Sequence, residues 1–305
     1  MTDTPLPNNL LSHLPVVRGK LTANAPLKDN TWFGVGGNAE ALFKPEDTED
    51  LATFLRGCPS TIPLTVIGVA SNLLIRDGGV AGVVVKLGPA FASITTEGEI
   101  ITAGTAALDL NIARAAQKAG IAGLEFLSGI PGTLGGALRM NAGAHGGEIK
   151  DIVTSITALD RTGHVHTLTP QEMGFAYRHS AAPSDWIFTS ATLRGRAAPP
   201  EVIATRMKEI AEARAAAQPL REKTGGSTFA NPEGHKAWEL IDKAGCRGLT
   251  RGGAMMSEKH CNFMINTGSA TAADLEALGE EVRRRVHEQS GIELQWEIRR
   301  IGVRS

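Results

Sequence analysis

Tyrosine is almost missing from this chain and cysteine is sparse: 305 residues contain one Tyr and three Cys. The cysteines, Cys58, Cys246 and Cys261, lie far apart and form no CxxC pair. That pattern excludes a disulfide framework or a cysteine metal cluster as the organising device and fits a reducing compartment. No metal site is expected elsewhere, since His145, His164, His166 and His260 lack ligand spacing. No apolar run is long enough to span a bilayer. The opening MTDTPLPNNLLSHLPVVRGK lacks the basic start and apolar core of a secretion signal, so the cytoplasm is the expected location. A charge excess is missing too: Lys plus Arg is 31 and Asp plus Glu is 32. This balance argues against a broad nucleic-acid or membrane surface, though not against a local basic pocket. With 42% hydrophobic and 21% charged residues, the chain reads as an ordinary globular protein with room for two or three modules.

Glycine, by contrast, is concentrated. Residues 123–148, GLEFLSGIPGTLGGALRMNAGAHGGE, hold eight of the 35 glycines. Glycine lets a backbone approach a ligand closely, and unobstructed N–H groups at such turns form anion-binding concavities. The stretch reads either as a backbone cradle for a nucleotide diphosphate or as a glycine-rich surface loop. A second glycine group, Gly34-x-Gly36-x-x-Ala39, resembles a dinucleotide fingerprint only superficially. No buried strand precedes it and Pro45 interrupts any long helix after it, so a structural turn is expected there.

In chain order, residues 1–30 read as a leader with a short helix near Asn9–Leu14. Glu46–Leu55 has helical spacing, with Leu51, Phe54 and Leu55 on one face. LTVIG (64–68) is a buried strand running into Gly68–Asn72, a turn suited to phosphate. VVVK (83–86) and Glu99–Ala103 are further strands. Thr105–Ala119 is a helix with Leu108, Ile112, Ala115 and Ala116 inward, closed by Gly120. Strands follow at 152–159, 164–168 and 186–193, with a helical turn from Pro170 to Met173. Ala197–Pro200 reads as a linker. Beyond it come a helix at Glu201–Ala217, a polar glycine loop at 223–232, a helix at Trp238–Ala244 and a strand at 262–266. Thr271 is an N-cap for a helix to Gln289 with Leu275, Leu278, Val282 and Val286 inward. Ile292–Ile301 alternates as a strand, with Leu294, Trp296 and Ile298 on one face and Glu297 on the other. The chain is of the α+β class.

Three residues could carry chemistry. Ser227, in Gly225-Gly226-Ser227-Thr228-Phe229, is not a nucleophile elbow, because Phe229 stands where the last glycine belongs. It is either a loop serine or a positioned proton donor. Arg178, in Ala176-Tyr177-Arg178-His179-Ser180, offers a planar fork for a carboxylate or is a surface arginine. Glu297 is a solvated strand carboxylate unless a pocket faces it.

Over residues 30–303 the chain resembles the UDP-N-acetylenolpyruvoylglucosamine reductase family. The likeness rests on seven motifs in the family order: NTWFGVGG, VIGVASNLLIRD, the 123–148 stretch, YRHS, GGSTFANP, LIDKAGCRG and WEIRRIG. It implies a two-lobed FAD-binding part of the vanillyl-alcohol oxidase (PCMH) type, with lobes at 1–90 and 91–196, and a C-terminal α+β substrate domain at 197–305. FAD is implied between the lobes, its diphosphate meeting Gly68, Ser71 and Asn72 together with Gly129, Pro131, Gly132, Thr133, Gly135 and Gly136. Asn141, Ala142 and Gly143 would approach the flavin. In the implied reaction NADPH reduces the flavin, and hydride then passes to C3 of an enolpyruvyl group. Arg178 and a protonated Glu297 would stabilise charge toward the substrate carboxylate, and Ser227 would protonate C2. Tyr177 and Asn231 would bind substrate.

The chain departs from the family pattern at Ala70, His145 and Ala230, where glycine, tyrosine and lysine are expected. Its one tyrosine, Tyr177, lies in YRHS, so the chain is similar to the shorter class, which lacks a tyrosine loop over UDP. The alternatives are another FAD-dependent oxidoreductase on the same fold and a non-catalytic nucleotide-binding protein.

Overall fold

The computed structural model describes residues 10–305. The chain forms two compact units. One comprises the chain up to Ala23, then Ala41–Gly68 and Gly82–Ala213; the other comprises Asn24–Glu40, Val69–Ala81 and Arg214–Ser305.

In the first unit, helix α1 (Thr48–Gly57) starts where the Asp47 side chain accepts the Asp50 N–H. Its apolar stripe, Leu51, Phe54 and Leu55, is buried as its spacing predicts, and Phe54 lies 4.4 Å from the Phe43 ring. The neighbouring sheet is ordered Lys20–Pro26, Asn38–Lys44, Val80–Lys86, Leu64–Ile67. Its last pair is parallel, with Leu64 opposite Val83. A strand at Lys20–Pro26 corrects the reading of residues 1–30 as a leader: its residues alternate too weakly to announce a strand alone. Of the expected turn at Asn9–Leu14, Leu10–His13 is a 3-10 turn, and Asn9 lies outside the described residues.

A second sheet in this unit is antiparallel throughout, in the order Val165–Leu168, Val153–Leu159, Ile187–Arg194, Ile100–Gly104, Ile94–Glu97. It has its own core, including Ile101, Ile112, Leu127, Leu138, Ile156 and Leu193. Helix α2 (Asp109–Ala119) packs there and ends at Gly120, whose φ of 70° is the left-handed cap glycine favours. Leu108, expected inward, is 40% exposed because the helix starts after it. Helix α3 is Leu134–Met140. Ala197–Pro200 is no linker: Arg196–Ala197 pairs with Ile121–Ala122, and Pro200 opens helix α4 (Pro200–Ala217). Pro suits the first turn, where its missing N–H has no helical partner.

The second unit is built on an antiparallel sheet ordered Lys223–Ser227, Phe263–Asn266, Ala254–Met256, Thr250–Arg251. Helices α5 (Ala237–Lys243) and α6 (Ala272–Ser290) complete its core. Thr271 and Asp274 form a reciprocal capping box at the start of α6. Leu275, Leu278, Val282 and Val286 are fully buried, as expected from the i, i+3, i+7 spacing. Two expectations are corrected here. The glycine loop at 223–232 begins as a strand because Lys223–Ser227 pairs with Phe263–Asn266, and Gly225 must be glycine there because Phe33 fills the space a side chain would occupy. The ten-residue strand expected at Ile292–Ile301 is reduced to Arg299–Ile301, parallel to Leu73–Ile75, and an isolated antiparallel bridge between Trp296 and Phe229; Leu294 and Ile298 are nonetheless buried on one face.

Candidate active site

In the first unit the two glycine motifs meet. A Cβ on Gly68 would lie 2.5 Å from the Thr133 hydroxyl, so the strand end and the Pro131–Thr133 turn can approach only because residue 68 is glycine. Gly135 donates its N–H to Thr105 O and is packed on that residue. Gly136 faces open space, with nothing within 4 Å of where a side chain would stand. Gly129 is covered by His145 and Ile210: a Cβ there would be 2.9 Å from the imidazole. His145 thus occupies the glycine turn at a φ of 51°.

Beneath this cradle lies a group that sequence reading missed. Asp109 is fully buried, and neither carboxyl oxygen has a hydrogen-bond partner. Its N–H bonds to Gly132 O, which fixes it beside the turn. Burial pushes this carboxyl well above the usual range, favouring its neutral form. The only signal in the sequence was an acid between Leu108 and Ile112 at the start of an apolar helix face.

Arg178 sits in a tight turn, Ala176–His179, with a φ of 54°. Its guanidinium donates to Gly143 O at 3.3 Å and lies 5.0 Å from the Tyr177 ring centre. Asn141 holds the neighbouring backbone. It caps α3 in the left-handed region, donates to Glu148 Oε2 and Ala176 O, and accepts the Lys150 N–H. Its buried amide is used entirely within the protein, in the turn that presents Ala142 and Gly143 and against the one that presents Arg178.

In the second unit Ser227 and Glu297 share a scaffold. Ser227 ends a strand whose register shifts between Thr224 and Ser227, a bulge in which Gly226 has a φ of 81°. The next residue, Thr228, accepts the Glu297 N–H at 2.9 Å, and Ala230 donates to Gln295 O. Asn262 clamps Phe229 from the other side through both its amide atoms. Asn72 donates to Glu297 O at 3.1 Å, and Arg299 donates to Asn72 O. Asn72, expected against phosphate, thus braces the Glu297 backbone, and Ser71 stands next to it. Ala70 adopts a φ of 51°, a conformation that costs an alanine about 1 kcal/mol. The exposed Asn231 accepts the Ala237 N–H at the start of α5. Among the described residues no three His, Cys, Asp or Glu side chains could hold a metal ion.

Residues 218–301 match the family model described as the C-terminal domain of UDP-N-acetylenolpyruvoylglucosamine reductase, and residues 39–169 match that of an FAD binding domain. A UDP-N-acetylenolpyruvoylglucosamine reductase of Paramagnetospirillum magneticum is 62% identical over 95% of each chain. One of Rhodospirillum rubrum is 61% identical over 97% of this chain and 95% of its own.

The chain belongs to the UDP-N-acetylenolpyruvoylglucosamine reductase family.

The crystal structure of the Thermus caldophilus UDP-N-acetylenolpyruvylglucosamine reductase aligns with a TM-score of 0.81 and 36% identity, over 94% of this chain and 100% of that one. A 6-hydroxy-D-nicotine oxidase of Arthrobacter nicotinovorans aligns at 0.54 with 13% identity, a likeness of fold alone. The fold is therefore the α+β one expected, with the two-lobed FAD-binding architecture.

The residues of this family member fit such a cofactor. Gly136 leaves its backbone bare, Gly68 and Thr133 close the floor of the cradle, and burial of the Asp109 carboxyl beside the Gly132 turn favours its neutral form. No helix among the described residues is long and apolar enough to cross a membrane.

Proposed function

We propose that this chain reduces the enolpyruvyl group of UDP-N-acetylglucosamine enolpyruvate to UDP-N-acetylmuramate, with FAD as cofactor and NADPH as reductant. Membership in the reductase family supports this reading. The observation that carries it is the backbone pairing of the Ser227 loop with Glu297, which keeps a hydroxyl and a carboxyl on one rigid support.

FAD, held by the residues named below, would supply to C3 of the enolpyruvyl group a hydride drawn from NADPH. Ser227 delivers its hydroxyl proton to C2. A hydroxyl is a weak acid, but the acceptor is carbanion-like, so reach matters more than a matched pKa. Charge developing at C2 spreads into the adjacent carboxylate. Arg178 and a protonated Glu297 donate hydrogen bonds to that group and are most effective when the charge is largest, which lowers the barrier rather than merely tightening binding. Asn141 and Gly143 hold the Arg178 turn in place for this task. Tyr177 and Asn231 contact substrate.

Gly68, Ser71 and Asn72, with Gly129, Pro131, Gly132, Thr133, Gly135 and Gly136, form the diphosphate-binding backbone; Asn141, Ala142 and Gly143 border the flavin. The core around Ile112 supports a cofactor lobe at 91–196, and the core around Phe43, which also takes in Leu159 and Ile187, supports a lobe at 1–90. The core around Leu278 supports a substrate domain at 197–305. The protein acts as a cytoplasmic monomer on a small molecule.

The test is product analysis. Purified protein with FAD, NADPH and the enolpyruvyl substrate should yield a product heavier by the mass of two hydrogen atoms, with one NADPH consumed per product. NADPH consumption without that product would overturn the reading.

A further inference from the structure

Trp296, on the apolar face of the alternating segment, precedes Glu297 and is only partly buried. Its ring packs on Phe229 at a centroid distance of 5.1 Å, two residues beyond Ser227. The pair also forms a backbone bridge, between the Thr228–Glu297 and Ala230–Gln295 hydrogen bonds. The other edge of the indole enters a notch on α6: any Cβ on Gly279 would overlap its Cη2 and Cζ2 atoms. The indole N–H donates to Glu280 Oε1 at 2.9 Å. Glu280 is itself fixed by Arg300 at 2.9 Å and Arg283 at 2.6 Å, and the Arg300 guanidinium covers the indole at 4.4 Å. The ring is therefore fixed at its edge, at its face and at its nitrogen.

From this arrangement we infer that Trp296 is a positioning residue, pinned by Gly279 and Glu280 of α6, that sets the separation of Ser227 from Glu297. The inference rests on the function proposed above. Trp296 is assigned no part in the proton transfer or the charge stabilisation. It acts because its backbone adjoins Glu297 while its ring bears on Phe229, so any tilt of the ring displaces the two ends of the pair relative to each other. A displacement on the order of 1 Å costs a reaction about a hundredfold in rate. Glu280 is needed for the tilt of the ring, not for charge: its oxygen is the only acceptor that the indole N–H has among the described contacts.

The test separates the two half-reactions of the FAD-loaded protein by anaerobic stopped-flow absorbance. Glu280→Ala and Trp296→Phe each remove one end of the N–H bond. Both should slow reoxidation of the reduced flavin by enolpyruvyl substrate at least tenfold, while reduction by NADPH and the FAD dissociation constant stay within about threefold of the parent. Glu280→Gln keeps an acceptor oxygen and loses the charge, and should restore most of the rate. A purely structural role would lower both half-reactions or neither, and Gln would not differ from Ala. If Glu280→Ala does not yield folded protein, Trp296→Phe removes the N–H bond and the contact in the Gly279 notch while leaving an aromatic ring beside Phe229. Reoxidation within about threefold of the parent in folded Trp296→Phe overturns the inference. Failure of the parent itself to be reoxidised by this substrate would instead reject the proposed function.

Discussion

At the scale of single residues, the proposed chemistry asks for one proton, one planar cation and one carboxyl. Ser227→Ala should leave reduction of the flavin by NADPH within about twofold and slow its reoxidation by substrate by about three orders of magnitude or more, since only the second step needs a proton at C2. Equal losses in both half-reactions would contradict the role. Arg178→Lys keeps the charge but loses the two-pronged geometry, and also the reach to Gly143 O that fixes the turn. Turnover should fall about tenfold or more in steady-state assays, whereas wild-type turnover would remove Arg178 from the account. Both residues were singled out in the sequence, but their types and neighbours alone also fitted a loop serine and a surface arginine; the resemblance to the family supplied the roles. Asp109 was not, because a buried carboxyl without partners looks like any acid in the first turn of a helix until its surroundings are known.

Among elements, the cofactor cradle gives a prediction of opposite signs. Gly136 lies inside α3 and faces open space. Gly136→Ala should therefore stabilise the cofactor-free protein by up to about 1 kcal/mol, since alanine loses less backbone entropy in a helix. Yet the new methyl stands where the diphosphate is proposed to rest, and the FAD dissociation constant should rise more than about tenfold in a fluorescence titration. Unchanged FAD affinity would move the diphosphate elsewhere. The helices were legible from sequence, because Leu51, Phe54 and Leu55, or Leu275, Leu278, Val282 and Val286, repeat with the helical period and the caps Thr271 and Gly120 mark their ends. The strands at Lys20–Pro26 and Lys223–Ser227 were not. Their stability comes from partners distant in sequence, such as Phe33 beside Gly225, and no local pattern records that. Likewise the notch on Gly279 and the ring of Trp296 are 17 positions apart and become one feature only when α6 is folded.

For the whole molecule, one buried carboxylate, Glu276, is expected to contribute to acid stability. Glu276 on α6 accepts hydrogen bonds from Arg76 at 2.9 and 3.0 Å, and from Arg300 and Arg304 at 3.1 Å each. The Arg76 guanidinium beside it, with Arg304, lowers its pKa from 4.5 to about 2. A depressed carboxyl stabilises the folded state above its unfolded pKa, and the contribution fades as pH falls from about 4.5 to about 2. The difference corresponds to about 3 kcal/mol. Urea unfolding at stepped pH should show that loss in the parent and a flatter profile in Glu276→Gln; identical slopes would mean that other groups govern acid unfolding. The central claim, that the glycine-built cradle serves an enolpyruvyl reductase, is tested most directly by the visible absorption spectrum of the FAD-loaded protein under anaerobic conditions. Flavin bands should bleach on addition of NADPH and return on addition of UDP-N-acetylglucosamine enolpyruvate. Bands that bleach and do not return, or a protein that retains no flavin after incubation with FAD, would contradict the account.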